Sequence, residues 1–540
     1  MTHTFKILAA DKLAAEGLAY IEQQPDAELV NKPGLTEDEL AAIVGDHDAM
    51  IVRSGVQVTA KILENPGRLK VIARAGVGVD NIDLEAATAK GILVMNSAEA
   101  STTSTAEHAF TLLMALARNI GPAHQTVAAG GWDRSKFTGA QLSGKSLGVV
   151  GFGRIGQTVA ARALAFGMTV VAYDPFINAE TMLDGKARMF RSFRDLAPHA
   201  DFLTFHVPLN DQTRGMLNAE TFALCRKNVR VINAARGGVV DESAIIPAIE
   251  SGQCAGVALD VFTEEPPAAD SPLRNHPKIL TTPHLGASTK EAQQAVSVSA
   301  AESALAFLRG DGIRGAVNAG GLRVDLDPMQ TCYVDLAGRM AELISPMIDH
   351  GVGCVTIQLG GADLASAGGT VERRTLVGLL KNHLDAQLNI INVKHVAEHR
   401  GIVTRLTLDE DDRSISPELV IEVQPGDKSN GHVRRIVGRV YGDMRPRITE
   451  INGYNMDMIP EGVMVLILND DRPGMIGMVG SEFGQHDINI ADMAISRRDD
   501  TAMMVLKVDQ SPAPAMMNRL QHRPGIRKVA QVKLPAITTT

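Results

Sequence analysis

The chain has 540 residues, 45% of them hydrophobic and 21% charged, with a formal net charge of −9. At roughly 150 residues per domain the length allows about three or four domains, each able to bury a core. The acidic balance excludes nucleic acid or an anionic membrane as the main partner, because both require a basic face, while leaving room for a local basic pocket.

The four cysteines, Cys225, Cys254, Cys332 and Cys354, form no C-x-x-C pair and are too sparse for a disulfide framework, which points to a reducing, cytoplasmic setting. The first ten residues lack a basic segment followed by an apolar one and read as a strand rather than a signal peptide. No run approaches the ~18 apolar residues that a membrane span needs.

In chain order, residues 5–10, 49–52 and 70–73 read as short buried strands separated by helical patterns, which predicts a parallel α/β layer. Two of them lead into polar or Gly-rich loops, Arg53-Ser54-Gly55 and Arg74-Ala75-Gly76-Val77-Gly78, where ligands of open α/β sheets sit. Ser104-Thr105-Ala106-Glu107 fits a capping box and predicts a helix to about Asn119 that crosses into a second α/β domain. That domain opens on a strand at 146–150. A second capping box, Ser288-Thr289-Lys290-Glu291, predicts a long Ala-rich helix that crosses back and ends near Gly310. The expected organisation is a first domain of residues 1–98 and 290–318 with a domain of residues 99–289 inserted into it, and the cleft between them is the default site. Residues 319–458 mix strands and helices with Gly pairs and carry no catalytic constellation. Residues 459–540 read as strand, loop, helix (473–486), strand and strand, a ferredoxin-like pattern.

Gly151-Phe152-Gly153-Arg154-Ile155-Gly156 is G-x-G-x-x-G between an apolar strand and a helix, the context that gives this otherwise weak motif its meaning. Gly151 makes the tight turn, Gly153 admits a pyrophosphate, and Gly156 lets helix and strand pack closely. The next strand ends at Asp174, 18 residues after Gly156, close to the ~20 expected of a ribose-binding acid. A carboxylate there accepts from both ribose hydroxyls and repels a 2′-phosphate. Pro175 and Phe176 follow it rather than Arg, which favours NAD over NADP.

Three further segments fall at the ends of successive strands: Asn233-Ala234-Ala235-Arg236, Asp260 with Glu265 before Pro266-Pro267, and Thr282-Pro283-His284. Oxidising an alcohol by hydride loss needs a base for the hydroxyl proton, and His suits that near neutral pH. Glu265 would orient the imidazole and stabilise its protonated form. The Arg236 fork would hold a 2-hydroxy carboxylate bidentately and polarise the C2 oxygen.

From Leu147 to Gly286 the chain resembles the D-isomer-specific 2-hydroxyacid dehydrogenases through GFGRIG, the Asp174 strand end, His206-Val207-Pro208-Leu209 with Thr213, NAARGG, DVFTEEP and PHLGAST. The resemblance implies Arg236, Glu265 and His284 as the catalytic trio. It implies NAD contacts from Val77, Gly151, Gly153, Arg154, Ile155, Gly156, Asp174, His206, Val207, Pro208, Ala234, Ala235, Asp260 and Gly286. Val77 stands where some relatives carry Thr, so a hydroxyl contact to the cofactor is absent. Over nearly its whole length the chain is similar to the long form of this family, whose members oxidise 3-phospho-D-glycerate in the first step of phosphorylated L-serine biosynthesis. That similarity implies substrate contacts from Arg53, Ser54, Arg74, Gly76 and Asn96. It also implies a reach by Lys136 to the phosphate in a neighbouring subunit, a dimer contact around Trp132, and a homodimer or homotetramer. Two alternatives stay open on these residues: action on another 2-hydroxyacid such as glycerate or 2-hydroxyglutarate, and an NAD-sensing protein without catalysis.

The last unit resembles an ACT domain, an amino-acid-binding module. By that similarity Asn469, Asp471 and Asn489 would contact L-serine, with Pro473 in the first turn of the helix whose N-terminus faces the ligand carboxylate. Residues 320–455 resemble the intervening domain of the long form. His395 and His399 share a helical face, but no third ligand has suitable spacing and no metal is expected. Met503, Met504, Met516 and Met517 read as core filler. The expected fold class is thus α/β: two Rossmann-like or flavodoxin-like parallel-sheet domains, an α+β intervening domain and a ferredoxin-like ACT domain.

Overall fold

Short apolar strands separated by amphipathic helices must pair in parallel, because each helix carries the chain back before the next strand begins. The computed structural model describes residues 4–537 apart from 178–180, 324, 349–350, 382, 385–387, 410, 413, 415 and 427–431. Its first sheet holds β1 (Phe5–Ala9), β2 (Ala27–Asn31), β3 (Ala49–Val52), β4 (Val71–Arg74) and β5 (Leu93–Asn96), all parallel, in the order β2-β1-β3-β4-β5. Strand order reverses between β1 and β3, the position where doubly wound sheets open a crevice.

The second sheet holds β6 (Ser146–Val150), β7 (Thr169–Tyr173), β8 (Thr181–Met182), β9 (Ala187–Phe190), β10 (Phe202–Phe205), β11 (Val229–Asn233), β12 (Cys254–Leu259) and β13 (Ile279–Thr281). Its order is β13-β12-β11-β10-β6-β7-β9-β8, parallel except for β8. Here the reversal lies between β6 and β10, so the loops after Val150 and Phe205 meet at the crevice. Each sheet is buried on both faces by separate apolar clusters, one of which, on the first sheet, also takes in Ile391.

Two long helices join these sheets. The helix Thr102–Ala117 buries Ala106, Ala109, Phe110 and Leu113 against the second sheet, and the helix Lys290–Arg309 returns to pack Val296, Ala300, Ala301 and Ala304 against the first. Both capping-box expectations need correcting. The first helix starts ahead of Ser104, with Ser101 at its N-cap and no side-chain cap bond. Ser104 is buried and donates Oγ to Gly286 O at 3.1 Å, and Glu107 pairs with Arg162. A tertiary partner has taken the hydroxyl that the local pattern assigned to the backbone. In the second helix Thr289, not Ser288, is the N-cap, accepting from Ala292 N.

The third sheet holds β14 (Val352–Gly360), β15 (Val403–Asp409), β16 (Leu419–Pro425), β17 (Arg434–Val440), β18 (Pro446–Ile451) and β19 (Tyr454–Met458), in the order β15-β14-β16-β17-β18-β19. The fourth holds β20 (Gly462–Asp470), β21 (Ile490–Arg498), β22 (Thr501–Val508) and β23 (Ile526–Leu534), antiparallel in the order β21-β22-β20-β23. Successive side chains of a strand point to opposite faces, and β20 uses both. Val463, Val465 and Ile467 pack under the helices Met475–Gly484 and Pro514–Gln521. Met464 and Leu466 join the same core as Tyr333, Leu336 and Met340. The methionines fill these layers as the sequence suggests: Met503 faces the third sheet, Met504 faces the helices, and Met516 packs into the same cluster from the helix Pro514–Gln521. Buried Arg339 closes the joint by donating to Pro460 O at 2.9 Å and Pro535 O at 2.6 Å. Pro473 is not in the first turn of its helix. The helix begins at Met475 with Gly474 as N-cap at φ 92, a left-handed conformation that favours Gly.

Among the described residues, no helix is long and apolar enough to cross a membrane, and no group of three or more His, Cys, Asp or Glu could hold a metal ion. The His395 and His399 rings lie 4.0 Å apart, and His399 Nδ1 meets His395 O at 3.0 Å.

Candidate active site

The carboxyl ends of the first two sheets face one another across a cavity of about 960 Å3, within the usual range for small-molecule sites. On the second sheet, β6 ends in the turn Gly151–Gly156. Gly151 has φ 88, and a Cβ there would lie 2.5 Å from His206 O, while a Cβ on Gly156 would lie 2.1 Å from Gly151 O. Gly153 faces open space at the N-cap of the helix Arg154–Ala165, whose first amides are free to meet an anion. Asp174 stands at the end of β7, with Oδ2 accepting from Phe152 N at 2.8 Å and Oδ1 from Phe176 N at 2.9 Å. Turn, helix end and acid thus fit a dinucleotide. Arg154 pairs with Glu99 at the rim. Ile155, His206, Val207, Pro208, Ala234, Ala235 and Gly286 line the cavity, and so does Val77 from the opposite side. Burial pushes the His206 imidazole down to about 4, so the ring is neutral at pH 7. Its Nε2 meets Thr204 Oγ1 at 3.0 Å.

His284 follows β13 at φ 54, and its Nδ1 lies 2.7 Å from Glu265 Oε2. Glu265 Oε1 accepts from Phe262 N at 3.0 Å, which fixes the carboxylate. An ionised carboxylate accepts only, so Nδ1 carries the hydrogen and Nε2 keeps its lone pair for a proton from the cleft. Arg236, after β11, donates Nε to Asp80 Oδ2 at 2.9 Å and Nη1 to Ala235 O at 2.6 Å. Asp80 belongs to the first lobe, so this ion pair bridges the cleft. Gly78 makes it possible, since a Cβ there would stand 1.9 Å from Arg236 Nη2.

Asp260 borders the cavity floor, but its side chain is fully buried and its carboxylate is occupied by Thr282, Leu285, Gly286 and His108. Burial alone would raise its pKa. The hydrogen bonds from His108, Thr282 and Leu285 N outweigh that and hold it below the usual carboxylate range.

The first lobe contributes Arg53, Ser54, Arg74, Gly76 and Asn96. Asp11, at the end of β1, accepts from Arg53 N at 3.1 Å and Gly55 N at 2.8 Å and shapes that loop. Burial, with the charges of Arg236 and Arg53 beside it, lowers Arg74 to about 10, and its buried Nε has no partner among the described residues. Gly76 lies under its guanidinium, where a Cβ would meet Nη1 at 1.5 Å. Asn96 donates Nδ2 to Val77 O at 2.7 Å, so it braces the loop it lines. Three arginines therefore converge on one cavity, with Asp80 between them. Lys136 is not among the lining residues. It sits in an exposed turn, Ser135–Phe137. Asp80, Thr105 and His108 belong to none of the site motifs legible in the sequence, although Asp80 and Thr105 line the cavity and His108 meets Asp260. The i, i+4 spacing of Ser104 and His108 on one helix face was the available signal.

In the last unit, Asn469 is buried, and its Oδ1 meets no donor among the described residues. Asp471, expected to contact L-serine, is ion-paired with Arg497 at 2.6 Å. Asn489 donates to Asp509 Oδ2 at 2.8 Å.

The sequence pattern of the D-isomer specific 2-hydroxyacid dehydrogenase NAD binding domain matches residues 110–286, that of the D-3-phosphoglycerate dehydrogenase intervening domain matches 329–452, and that of the ACT domain matches 463–524. D-3-phosphoglycerate dehydrogenase of Bacillus subtilis is 38% identical over 98% of this chain and 100% of its own length. The chain belongs to the D-3-phosphoglycerate dehydrogenase family. The enzyme of that name from Methanocaldococcus jannaschii is likewise 38% identical, over 98% of this chain and all of its own. Among solved structures, NAD-dependent formate dehydrogenase from Staphylococcus aureus in complex with NAD superposes with a TM-score of 0.52 at 29% identity. It covers 58% of this chain and 98% of its own. This family's cofactor is NAD, and the Gly151–Asp174 geometry accommodates it.

Proposed function

We propose that the chain oxidises 3-phospho-D-glycerate to 3-phosphooxypyruvate with NAD+, the first step of phosphorylated L-serine biosynthesis. The observation that carries this reading is the convergence of Arg53, Arg74 and Arg236 on the cavity that the His284–Glu265 pair faces. A 2-hydroxy carboxylate needs one arginine, and a second anion on the same substrate accounts for the others.

NAD+ held by the Gly151–Gly156 turn and Asp174 would supply the acceptor for the hydride leaving C2. Arg236 holds the carboxylate and polarises the C2 oxygen through Nη2, since Nε is spent on Asp80 and Nη1 on Ala235 O. His284 takes the hydroxyl proton at Nε2, and Glu265 steadies the imidazolium that forms. Arg53, Ser54, Arg74, Gly76 and Asn96 form the pocket for the phosphate end. Gly151, Gly153, Arg154, Ile155 and Gly156 take the pyrophosphate and Asp174 the ribose, while Val77, His206, Val207, Pro208, Ala234, Ala235 and Gly286 line the nicotinamide side. Asp260 acts there through the loop it fastens.

Lys136 contributes only in an oligomer, which the 77% exposure of Trp132 beside it supports. The orphaned Asn469 Oδ1 supports a ligand with a hydrogen-bond donor at the ACT unit, and L-serine fits that chemistry once Arg497 releases Asp471. Four free cysteines suit a reducing cytoplasm.

The deciding experiment compares kcat/KM for 3-phosphoglycerate with that for glycerate. A preference of at least about a hundredfold for the phosphorylated acid is expected if the arginine pair reads phosphate, and equal values sink the assignment. Titrating L-serine against turnover tests the effector site separately.

A further inference from the structure

The turn that carries His284 is fastened from beneath by groups outside the catalytic trio. Oδ1 of fully buried Asp260 accepts from Thr282 Oγ1 at 2.6 Å and from Leu285 N at 2.7 Å, and Oδ2 accepts from Gly286 N at 2.9 Å. Its backbone carbonyl accepts from His284 N at 2.9 Å. These four bonds span residues 282–286 and hold His284 at φ 54, a conformation that costs free energy for any residue with a Cβ.

The helix Thr102–Ala117 adds a second layer. His108 brings Nε2 to 3.0 Å from Asp260 Oδ1 and 3.2 Å from Thr282 Oγ1. The carboxylate can only accept, and Thr282 already spends its hydroxyl hydrogen on it, so Nε2 carries the hydrogen that points to Asp260. One turn earlier Ser104 reaches Gly286 O. The polar partners of His108 are Asp260 and Thr282 rather than Glu265 or the His284 ring, and it is not among the cavity-lining residues.

We propose that His108 is a positioning residue for the oxidation. By donating Nε2–H to Asp260 it stiffens the buried anchor of the turn that aims His284 at the substrate hydroxyl. The inference rests on the assignment of His284 as the base. It follows from the geometry that the contribution lies in the rate of the chemical step rather than in ligand affinity, because the arginines and the Gly151–Gly156 turn are not tied to His108, and Gly286 on the nicotinamide side keeps its own bonds to Asp260 and Ser104. Misaim of a base by even a fraction of an ångström is felt in rate before it is felt in binding.

The test pairs His108→Leu with His108→Gln in the full-length protein. Leu keeps the helix and removes the donor, whereas Gln carries an amide hydrogen near the place of Nε2–H. The Leu variant should lose at least about tenfold in kcat while KM for 3-phosphoglycerate and Kd for NAD stay within about twofold, and the Gln variant should recover most of that loss. In single-turnover NADH formation the Leu variant's loss should fall on the rate constant and leave the amplitude unchanged. A tie that merely keeps the protein folded would lower the amplitude instead. Should the Leu variant not fold, His108→Asn, whose shorter amide falls short of Asp260, gives the same contrast with Gln. Wild-type kcat without the donor, a loss confined to amplitude, or a Gln variant no better than Leu overturns the proposal. Undiminished turnover in His284→Asn would instead overturn the underlying assignment of the base, so the two failures are distinguishable.

Discussion

The two ends of this molecule join their sheets in opposite ways. The first and second sheets keep separate apolar cores, the first joined by Ile391 from the rear half, and meet across a cleft lined by Arg53, Arg74, Asp80, Arg236 and His284. The third and fourth share one apolar core, closed by Arg339 and by the buried contact of Tyr454 Oη with Thr501 Oγ1 at 2.5 Å. Opening the front pair exposes polar groups that water can satisfy. Opening the rear pair exposes hydrocarbon at roughly 25 cal/mol per Å2. The lobes can therefore change their angle around a ligand, whereas the rear half behaves as one body.

The largest expected effect lies in the front half. His284→Asn should lower kcat by about 10²–10⁴-fold, the usual span of a lost general base, with NAD binding unchanged by fluorescence titration. Wild-type turnover would remove the reason for the cleft's charge. Gly156→Ala comes next, because its Cβ would meet Gly151 O at 2.1 Å. NAD affinity should fall by at least about tenfold, read by calorimetry, while the rear half melts as before. Any shift of the rear transition would mean that the halves are not separate.

In the rear half, Leu466→Ala removes a side chain shared by two sheets and should cost about 2–5 kcal/mol. Hydrogen exchange should show the amides of β16, β17, β20 and β22 losing protection together. Loss confined to the fourth sheet would break the picture of a common core.

The smallest effect is a pH slope. The folded His206 imidazole is held near 4 against an ordinary value of 6.5. Between those values the unfolded chain binds a proton that the folded chain does not. Its stability contribution is thus complete above about pH 6.5, declines on acidification and levels off near pH 4. His206→Asn should flatten that part of the melting-temperature profile, and an unchanged slope would show that the ring titrates freely.

Much of the front half was legible in sequence because its information is local. Short apolar runs between helical patterns marked β1, β3, β4, β6 and β7 but not β2, β8 or β9, and G-x-G-x-x-G marked the turn whose close approaches tolerate no Cβ at Gly151 or Gly156. The Asp174 strand end and the segments holding Arg236, Glu265 and His284 were each readable within a few residues, since chain direction alone puts strand ends on one side of a parallel sheet. Capping was less legible. Ser104 matches a capping pattern, yet it spends its hydroxyl on Gly286, 182 residues away.

What sequence alone determined is therefore the alternation of strands and helices in the front half and the residue types that stand at the strand ends. Tertiary structure decided which ends meet. Asp80 and Arg236, 156 residues apart, pair only because two lobes fold face to face. His108 reaches Asp260 because the linking helix crosses beneath the His284 turn. Arg497 claims Asp471, and one face of β20 belongs to the core of another sheet. Local propensity is set by neighbours in the chain, but a partner for a buried or charged group is chosen by proximity in space, and no spacing rule encodes that.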